Sequence, residues 1–172
     1  MARSYPDALP LTRTVLRVLV VLNLVAGFLI LVLLVASLLA RTWVFSALGA
    51  RSDNAAMVAG MRTIMLLGIA SVPLAHLVLS RLRAIVETVG EGDPFVAGNA
   101  RRLQTIAWAV LGLEVVHLVV GAVAAGASSP GEPLDLDWSF SITGWLAVLL
   151  LLVLARVFER GAAMREELEG TV

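Results

Sequence analysis

The sequence contains no cysteine and no lysine, and only 15% of its 172 residues carry a charge. Without cysteine the chain has no disulfides, no thiolate metal ligands and no cysteine nucleophile. All 13 basic residues are arginine, which together with abundant alanine, valine and leucine favours a GC-rich bacterial genome. The formal net charge is zero, so the chain lacks the overall basic character of nucleic-acid-binding proteins, and direct binding of nucleic acid is not predicted.

Apolar residues make up 59% of the sequence, and its mean hydropathy is +0.93. A typical soluble domain is about 45–50% apolar and about 25% charged. A soluble fold of this length could not bury so much apolar surface. The composition therefore predicts an integral membrane protein whose first partner is the lipid bilayer.

Four long apolar segments predict four spans in a single membrane domain of residues 1–172, at approximately residues 16–40, 57–80, 103–127 and 138–157. A helix rises about 1.5 Å per residue, so about 20 residues cross a hydrocarbon core about 30 Å thick. Inside lipid each backbone polar group needs a partner within its own element, which makes the spans helices and the fold class all-α. The first segment exceeds the apolar region of a cleaved signal peptide, about 7–15 residues, so we expect it to be retained.

The arginines are distributed unevenly between the loops. Ten of them precede the first span, lie between spans two and three or follow span four, whereas the first outer loop carries only Arg41 and Arg51. Because positively charged loops stay in the cytoplasm, this pattern predicts a plasma-membrane protein with both termini, the loop 81–102 and the tail 158–172 in the cytoplasm. Short outer loops favour antiparallel neighbours, which predicts an up-down-up-down four-helix bundle.

The polar stretch between spans two and three predicts a helix end, a turn and a helix start. Apolar residues continue at helical spacing beyond Arg81, which extends the second helix into the cytoplasm. Gly90 and Gly92 favour its end, and Asp93–Pro94 is a turn signal. Asn99 has the residue type and the position of an N-cap for the third span.

The fourth span continues as a second amphipathic extension, with an apolar stripe of Val157, Gly161, Met164 and Leu168. Two interpretations of the extensions stay open. They pack against each other as a small cytoplasmic platform with Phe95 over it, or both are solvated ends of long helices.

Two patterns in the cytoplasmic segments carry a resemblance to a known family. The stretch GDPFVAGNARRL matches the pattern G-x-P-F-x-x-x-N-x-x-R-L through Gly92, Pro94, Phe95, Asn99, Arg102 and Leu103. The ending ARVFERGAAMREELEGTV matches a second pattern through Val157, Phe158, Gly161, Met164, Arg165, Glu169, Thr171 and Val172. With these patterns the sequence resembles a family of small bacterial membrane proteins catalogued as domain of unknown function 2975.

The resemblance extends over nearly the whole chain and implies four spans, but no biochemical activity. Relatives are often encoded beside a small helix-turn-helix regulator, so the resemblance implies a cytoplasmic transcription regulator as a partner. The match at Thr171 and Val172 leads us to expect a complete C-terminus.

The third span carries two ionisable residues, Glu114 and His117, three positions apart and hence on the same helical face. A charged carboxylate at the bilayer centre costs about 2.5–3.5 kcal/mol on insertion scales, so Glu114 is expected to face the bundle interior, to be protonated or to be paired. Arg62 enters span two from the outer side and either extends outward or reaches down toward this pair. Asn23 and His76 are expected to be packing contacts.

Two interpretations of Glu114 and His117 stay open: a proton or cation relay, and interhelical polar contacts worth about 0.6 kcal/mol each. A di-iron site would need two E-x-x-H motifs and two further glutamates, and the sequence has one such motif, so no metal site is predicted. No nucleophile elbow and no phosphate-binding glycine loop occurs, so no catalytic residue, cofactor or enzymatic activity is predicted.

Two functions compete on this basis. The first is a regulatory or scaffolding protein acting through its cytoplasmic loop and tail on a transcription regulator or another membrane protein. The second is a small transporter or channel subunit with Glu114 and His117 in the path, which would require a homo-oligomer because four spans are few for a complete carrier.

Overall fold

The computed structural model describes residues 8–49, 53–90, 96–128 and 140–169. These stretches form five α-helices: α1 (Ala8–Leu39), α2 (Arg41–Ala47), α3 (Ala55–Gly90), α4 (Ala97–Ala127) and α5 (Ile142–Glu169). In the described part of the chain α1, α3, α4 and α5 are long and apolar enough to cross a membrane. The all-α fold class is thus confirmed for the described residues, and four helices have the length and composition that a membrane span requires.

The long helices exceed the thickness of a bilayer core. At about 1.5 Å per residue, the 36 residues of α3 extend over about 54 Å, whereas the hydrocarbon core is about 30 Å thick. Pro73 lies inside α3, which continues through it to Gly90. Likewise α5 continues well beyond Arg156 to Glu169.

The short helix α2 was not predicted. It is separated from α1 by Ala40, whose φ of −130° and ψ of 55° are not helical. Val44 and Phe45 of α2 are 2% and 0% exposed, so this helix folds back onto the protein instead of extending into a loop. Beyond Leu48 the chain turns at Gly49, whose φ of 74° is readily adopted only by glycine.

Helices α3 and α4 begin in different ways. The Asn54 side chain accepts a hydrogen bond of 3.1 Å from the Met57 backbone N–H, as an N-cap does. Helix α4 instead begins after Val96, with no hydrogen bond from a capping side chain. Asn99 lies two residues inside α4 and is buried, so the prediction that it caps this helix is wrong.

Each long helix makes its extensive contacts with the next long helix along the chain: α1 with α3, α3 with α4, and α4 with α5. Two contacts between α1 and α3 pair Gly27 with Val72 and Ser37 with Arg62. A methyl group added at Gly27 would lie 2.7 Å from Val72 Cγ2. The middle of α1 thus contacts the middle of α3, and the late position Ser37 of α1 contacts the early position Arg62 of α3.

The other two interfaces follow the same rule. Thr88 contacts Asn99 at one end of the α3–α4 interface, and Gly60 lies against Ala127 at the other. In the α4–α5 interface Gly144 lies against the Glu114 side chain. Glycine thus recurs where two helices approach most closely.

The end of α5 does not pack through the predicted stripe. Val157 and Met164 are 54% and 60% exposed, whereas Ala155 and Ala162 are buried. In the described chain, α5 makes its extensive contacts with α4 and not with α3. The interpretation in which this stripe packs against the α3 extension is therefore wrong for Val157 and Met164.

Candidate functional site

The family-pattern residues within the described chain lie where α3 ends and α4 begins. Asn99 is fully buried, and its Nδ2 donates a hydrogen bond of 2.8 Å to Thr88 Oγ1. The Thr88 hydroxyl itself donates to the Ile85 carbonyl at 2.8 Å. Arg102 Nη1 donates to Asn99 Oδ1 at 2.8 Å and to the Ala84 carbonyl at 3.2 Å. We call this network of Thr88, Asn99, Arg102 and the Ala84 carbonyl the α3–α4 clamp.

The clamp holds together the two helices that flank residues 91–95. A buried side-chain amide needs partners for both its oxygen and its nitrogen, and Asn99 has both within the clamp. Leu103 is buried one turn after Asn99 and adds apolar packing to the same face. Asn99 and Arg102 therefore join the end of α3 to the start of α4 with Leu103 buried beside them, whereas Gly92, Pro94 and Phe95 lie outside the described residues.

The tail pattern lies on the end of α5. Phe158 and Gly161 are partly buried. Arg165 is exposed but also takes part in a contact with another residue. The buried Ala155 and Ala162 are seven residues apart, which places them on one face of the helix. The exposed Val157 and Met164, also seven apart, occupy another face. The tail thus presents apolar side chains outward.

Arg62 lies near the start of α3, at the opposite end of this helix from the α3–α4 clamp. Its Nε donates to Ser37 Oγ at 3.3 Å, its Nη2 donates to the Ser37 carbonyl, and its Cζ lies 6.0 Å from the centre of the Phe45 ring. Ser37 and Phe45 are both fully buried. The guanidinium therefore fastens α1, α2 and α3 together, and Arg62 reaches sideways to α1 and α2 instead of toward Glu114 and His117.

Glu114 and His117 are both partly buried on α4. A methyl group added to Gly144 would overlap the Glu114 carboxyl group, so this carboxyl lies against the backbone of α5. The structure does not bring Arg62 to this pair, because Arg62 is held by Ser37. Within the described residues, no group of three histidine, aspartate or glutamate side chains could hold a metal ion.

The residue after Gly144 adds a polar atom to the same interface. The indole Nε1 of Trp145 is buried and has no hydrogen-bond acceptor among the described residues, while its ring stacks on Phe140 with centroids 5.9 Å apart. Near the start of α5, the Glu114 carboxyl group therefore lies against Gly144, and Trp145 adds one buried N–H donor.

Asn23 and His76 lie along the α1–α3 interface. Asn23 Nδ2 donates to the Val72 carbonyl at 3.1 Å, next to Pro73. His76 lines an apolar cavity of about 420 Å³ together with Leu24, Val72, Pro73 and Leu77. The packing role expected for Asn23 matches this hydrogen bond between helices.

Sequence reasoning did not identify Thr88 and Ser37, although each had a signal. Ser37 is a single hydroxyl near the end of a 23-residue uncharged run, and Thr88 interrupts the apolar face of an amphipathic extension. A polar residue inside an apolar stretch is the general signal for such contacts, but the sequence does not name the partner. Arg62 and Asn99 supply those partners from other helices.

Several arginines are gathered at one end of the molecule, formed by the start of α1, the end of α3, the start of α4 and the end of α5. We call this the arginine-rich end; it carries Arg13, Arg17, Arg83, Arg101, Arg102 and Arg156. Here α4 and α5 enclose a cavity of about 490 Å³, lined by Ala100, Arg101, Gln104, Trp108, Leu152, Val153, Ala155, Arg156 and Glu159. Arg156 Nη1 and Glu159 Oε2 form an exposed ion pair of 3.0 Å at its rim.

The clamp lies at this arginine-rich end, at the residues that form the first of the two family patterns. No curated protein and no solved structure shows a significant match to the chain. The sequence profile of the family described as protein of unknown function (DUF2975) matches residues 51–172, well over half of the chain, so the protein belongs to that family.

Proposed function

We propose that this protein is a regulatory or scaffolding protein of a bacterial plasma membrane, which binds a cytoplasmic protein partner through its arginine-rich end. The proposed role is not enzymatic. Orientation is supported by ten arginines in the segments assigned to the cytoplasm against two in the first outer loop. An up-down-up-down order is supported by contacts that pair late residues of one long helix with early residues of the next, such as Ser37 with Arg62 and Thr88 with Asn99.

The observation that carries the proposal is the α3–α4 clamp. Its fully buried Asn99, together with Arg102, which donates to two acceptors, joins the two helices on either side of the segment 91–95, which contains the family residues Gly92, Pro94 and Phe95. A membrane helix pair does not need such a network for insertion, because its apolar surface is sufficient. Helix ends held in fixed positions favour recognition, since a preordered surface loses less conformational entropy on binding.

The exposed tail supports a protein partner. Met164 lies 22 residues after Ile142, about 33 Å along the helix at 1.5 Å per residue, which exceeds the hydrocarbon thickness of about 30 Å. Met164 is 60% exposed and follows the predicted end of the fourth span at residue 157. Methionine is enriched at adaptable binding surfaces because its side chain is flexible and polarisable. The candidate partners are a cytoplasmic transcription regulator, another membrane protein and a second copy of this chain.

The test is site-specific photocrosslinking in native membranes. A photoreactive residue replaces Met164 in one variant and Phe95 in another, and the matched control replaces Leu149, which is 58% exposed and lies in the apolar part of α5. We expect one protein to crosslink at Met164 and Phe95 but not at Leu149. The crosslink from position 95 should be lost when Met164→Glu is introduced beside it. Crosslinking to lipid alone at all three positions would contradict the proposal.

A second candidate function is transport through a homo-oligomer, and the contact of Glu114 with Gly144 favours it. This contact directs the carboxyl group toward α5 and not toward lipid, as a proton or cation relay requires. The test is ion flux in liposomes with purified protein, comparing the native chain with Glu114→Gln and His117→Gln. We expect both substitutions to abolish flux if the pair is a relay. Flux that is absent from the native chain, or unchanged in both variants, would remove this candidate.

A further inference from the structure

A cavity of about 330 Å³ opens between α1 and α3 at the arginine-rich end. The side chains that line it are all charged: Arg13, Arg17, Arg83 and Glu87. Arg13 and Arg17 are four residues apart, so they lie one above the other on the same face of α1. Leu16, between them in sequence, is buried and holds this turn of α1 against the protein. We call this the α1–α3 arginine cavity.

The cavity carries an excess of positive charge. Glu87 is already engaged, because its Oε1 lies 2.9 Å from Arg83 Nε in an ion pair within one helix. Three guanidinium groups against one carboxylate leave two positive charges over. By comparison, the α4–α5 cavity has two arginines and one glutamate among neutral residues, which leaves one. The α1–α3 arginine cavity is thus the more strongly cationic of these two described cavities.

The cavity lies at the depth where both helices leave the apolar part of the chain. Arg17 directly precedes the uncharged run 18–40 of α1, and Arg81 ends the uncharged run 63–80 of α3 two residues before Arg83. In a bilayer this level is occupied by lipid headgroups, as arginines flanking membrane spans are found at the interface. A ligand at this site therefore meets the protein at headgroup depth.

We propose that the α1–α3 arginine cavity binds the phosphate group of an anionic phospholipid. The planar guanidinium presents paired N–H donors that match two phosphate oxygens, and it remains charged at every physiological pH. Basic pockets between membrane helices on the cytoplasmic side are suited to such headgroups because they pair charge with a fixed position. The inference is independent of any protein partner and adds a lipid ligand to the chain.

The test uses the full chain in a neutral detergent at about 0.15 M salt, where unrelated surface charges are screened beyond about 8 Å. Binding of phosphatidylglycerol, phosphatidylcholine and inorganic phosphate is measured by native mass spectrometry. We expect phosphatidylglycerol to bind more tightly than the other two. Inorganic phosphate binding as tightly as phosphatidylglycerol would assign the site to a soluble anion and overturn the lipid assignment.

Substitutions separate this site from general attraction of cations to anionic lipid. At about fivefold in affinity per arginine near a membrane surface, the double substitution Arg13→Gln with Arg17→Gln should weaken phosphatidylglycerol binding by more than tenfold. The control Arg81→Gln removes an exposed arginine of α3, two residues before Arg83, that does not line the cavity, and it should change the affinity less than twofold. Equal losses in the double variant and the control would overturn the proposal.

Glu87 provides a test of opposite sign. Glu87→Gln keeps the size of the side chain but frees Arg83 from its ion pair and raises the excess charge of the cavity from two to three. The affinity for phosphatidylglycerol should therefore increase several-fold, while the elution volume in gel filtration stays that of the native chain. An unchanged or weaker affinity in a variant that elutes normally would contradict a phosphate site between these helices.

Discussion

Asn99 is the residue on which the contact between the end of α3 and the start of α4 depends. Its amide nitrogen serves Thr88 and its amide oxygen serves Arg102, so one side chain joins two helices. From the sequence, Asn99 had the position of a cap, because asparagine before an apolar run is the usual sign of a helix start. Capping residues act within one helix, whereas a clamp acts between helices. The two roles therefore predict different consequences of substitution.

We predict that Asn99→Ala and Thr88→Val are strongly coupled. Asn99→Ala leaves the partly buried guanidinium of Arg102 with the Ala84 carbonyl but without its Asn99 acceptor, and it removes the buried partner of Thr88. A fully buried polar group left unpaired costs about 1–3 kcal/mol, which sets the upper limit of the loss. Residues in one hydrogen-bond network show coupling energies of about 0.5–3 kcal/mol in a double-mutant cycle. The free energy of unfolding in mixed micelles should therefore fall less in the double variant than the sum of the single losses.

Asn54 supplies the matched control for that cycle. It caps α3 through Met57 N–H, and its replacement by alanine should cost about 1 kcal/mol, as the loss of an N-cap does. Because Asn54 is far from the clamp along α3, its loss should add to that of Thr88→Val. If the losses of Asn99→Ala and Thr88→Val are also additive, then Asn99 acts within its own helix and the clamp does not join α3 to α4.

The three glycines Gly60, Gly126 and Gly144 predict a graded series at the helix interfaces. A methyl group at Gly126 would meet open space, one at Gly144 would meet the end of the flexible Glu114 side chain, and one at Gly60 would meet Ala127 Cβ, which is attached to the backbone of α4. A flexible side chain can move away, but a backbone cannot without separating the helices. Overpacking of a fixed interface costs about 1–3 kcal/mol.

We therefore expect Gly126→Ala to leave the midpoint of thermal unfolding unchanged or slightly raised, Gly144→Ala to lower it slightly, and Gly60→Ala to lower it most. The measurement is thermal unfolding in detergent followed by circular dichroism. Combining Gly144→Ala with Glu114→Ala should restore the native midpoint, because the overlapping carboxyl is removed. Equal effects at all three positions would contradict the helix approaches described above.

At the scale of elements, the hydrophobic pattern was sufficient to predict the four long helices. Uncharged runs such as 18–40 leave a helix as the only structure that satisfies its own backbone in lipid. The helix α2 could not be predicted in this way, because seven residues are too few for a periodic pattern and the segment begins with Arg41. It is fixed by tertiary contact, since its Phe45 ring is buried beside Arg62 of α3.

Helix α2 should therefore depend on Phe45 and not on Trp43. Phe45 is 0% exposed, and truncation of a buried phenylalanine to alanine costs about 3–5 kcal/mol. Trp43 is 72% exposed, so Trp43→Ala should change the free energy of unfolding little. Denaturant titration of both variants in mixed micelles checks this difference. Similar small losses in both would show that α2 is not anchored to α1 and α3.

For the whole molecule, the order of helices is supported by contacts, whereas the side of the membrane on which each end lies comes from arginine counting alone. Glycines at the two ends of α4 allow a direct test, because the native chain has no cysteine and a single introduced thiol has no background. Gly98 and Gly126 are both exposed, and a side chain at either would meet open space. They are 28 residues apart, about 42 Å along a helix, so they emerge on opposite sides of a core about 30 Å thick.

We predict that Gly126→Cys is labelled by a membrane-impermeant maleimide in intact cells from which the outer barrier has been removed, and that Gly98→Cys is labelled only after the plasma membrane is opened. Labelling is limited by access and not by burial, since both positions are exposed and free of neighbouring atoms. If Gly98→Cys reacts first, the clamp, the α1–α3 arginine cavity and Met164 all lie outside the cell. A cytoplasmic partner could then not reach these three surfaces. A transport role for Glu114 would be unaffected, because a path through α4 and α5 does not depend on direction.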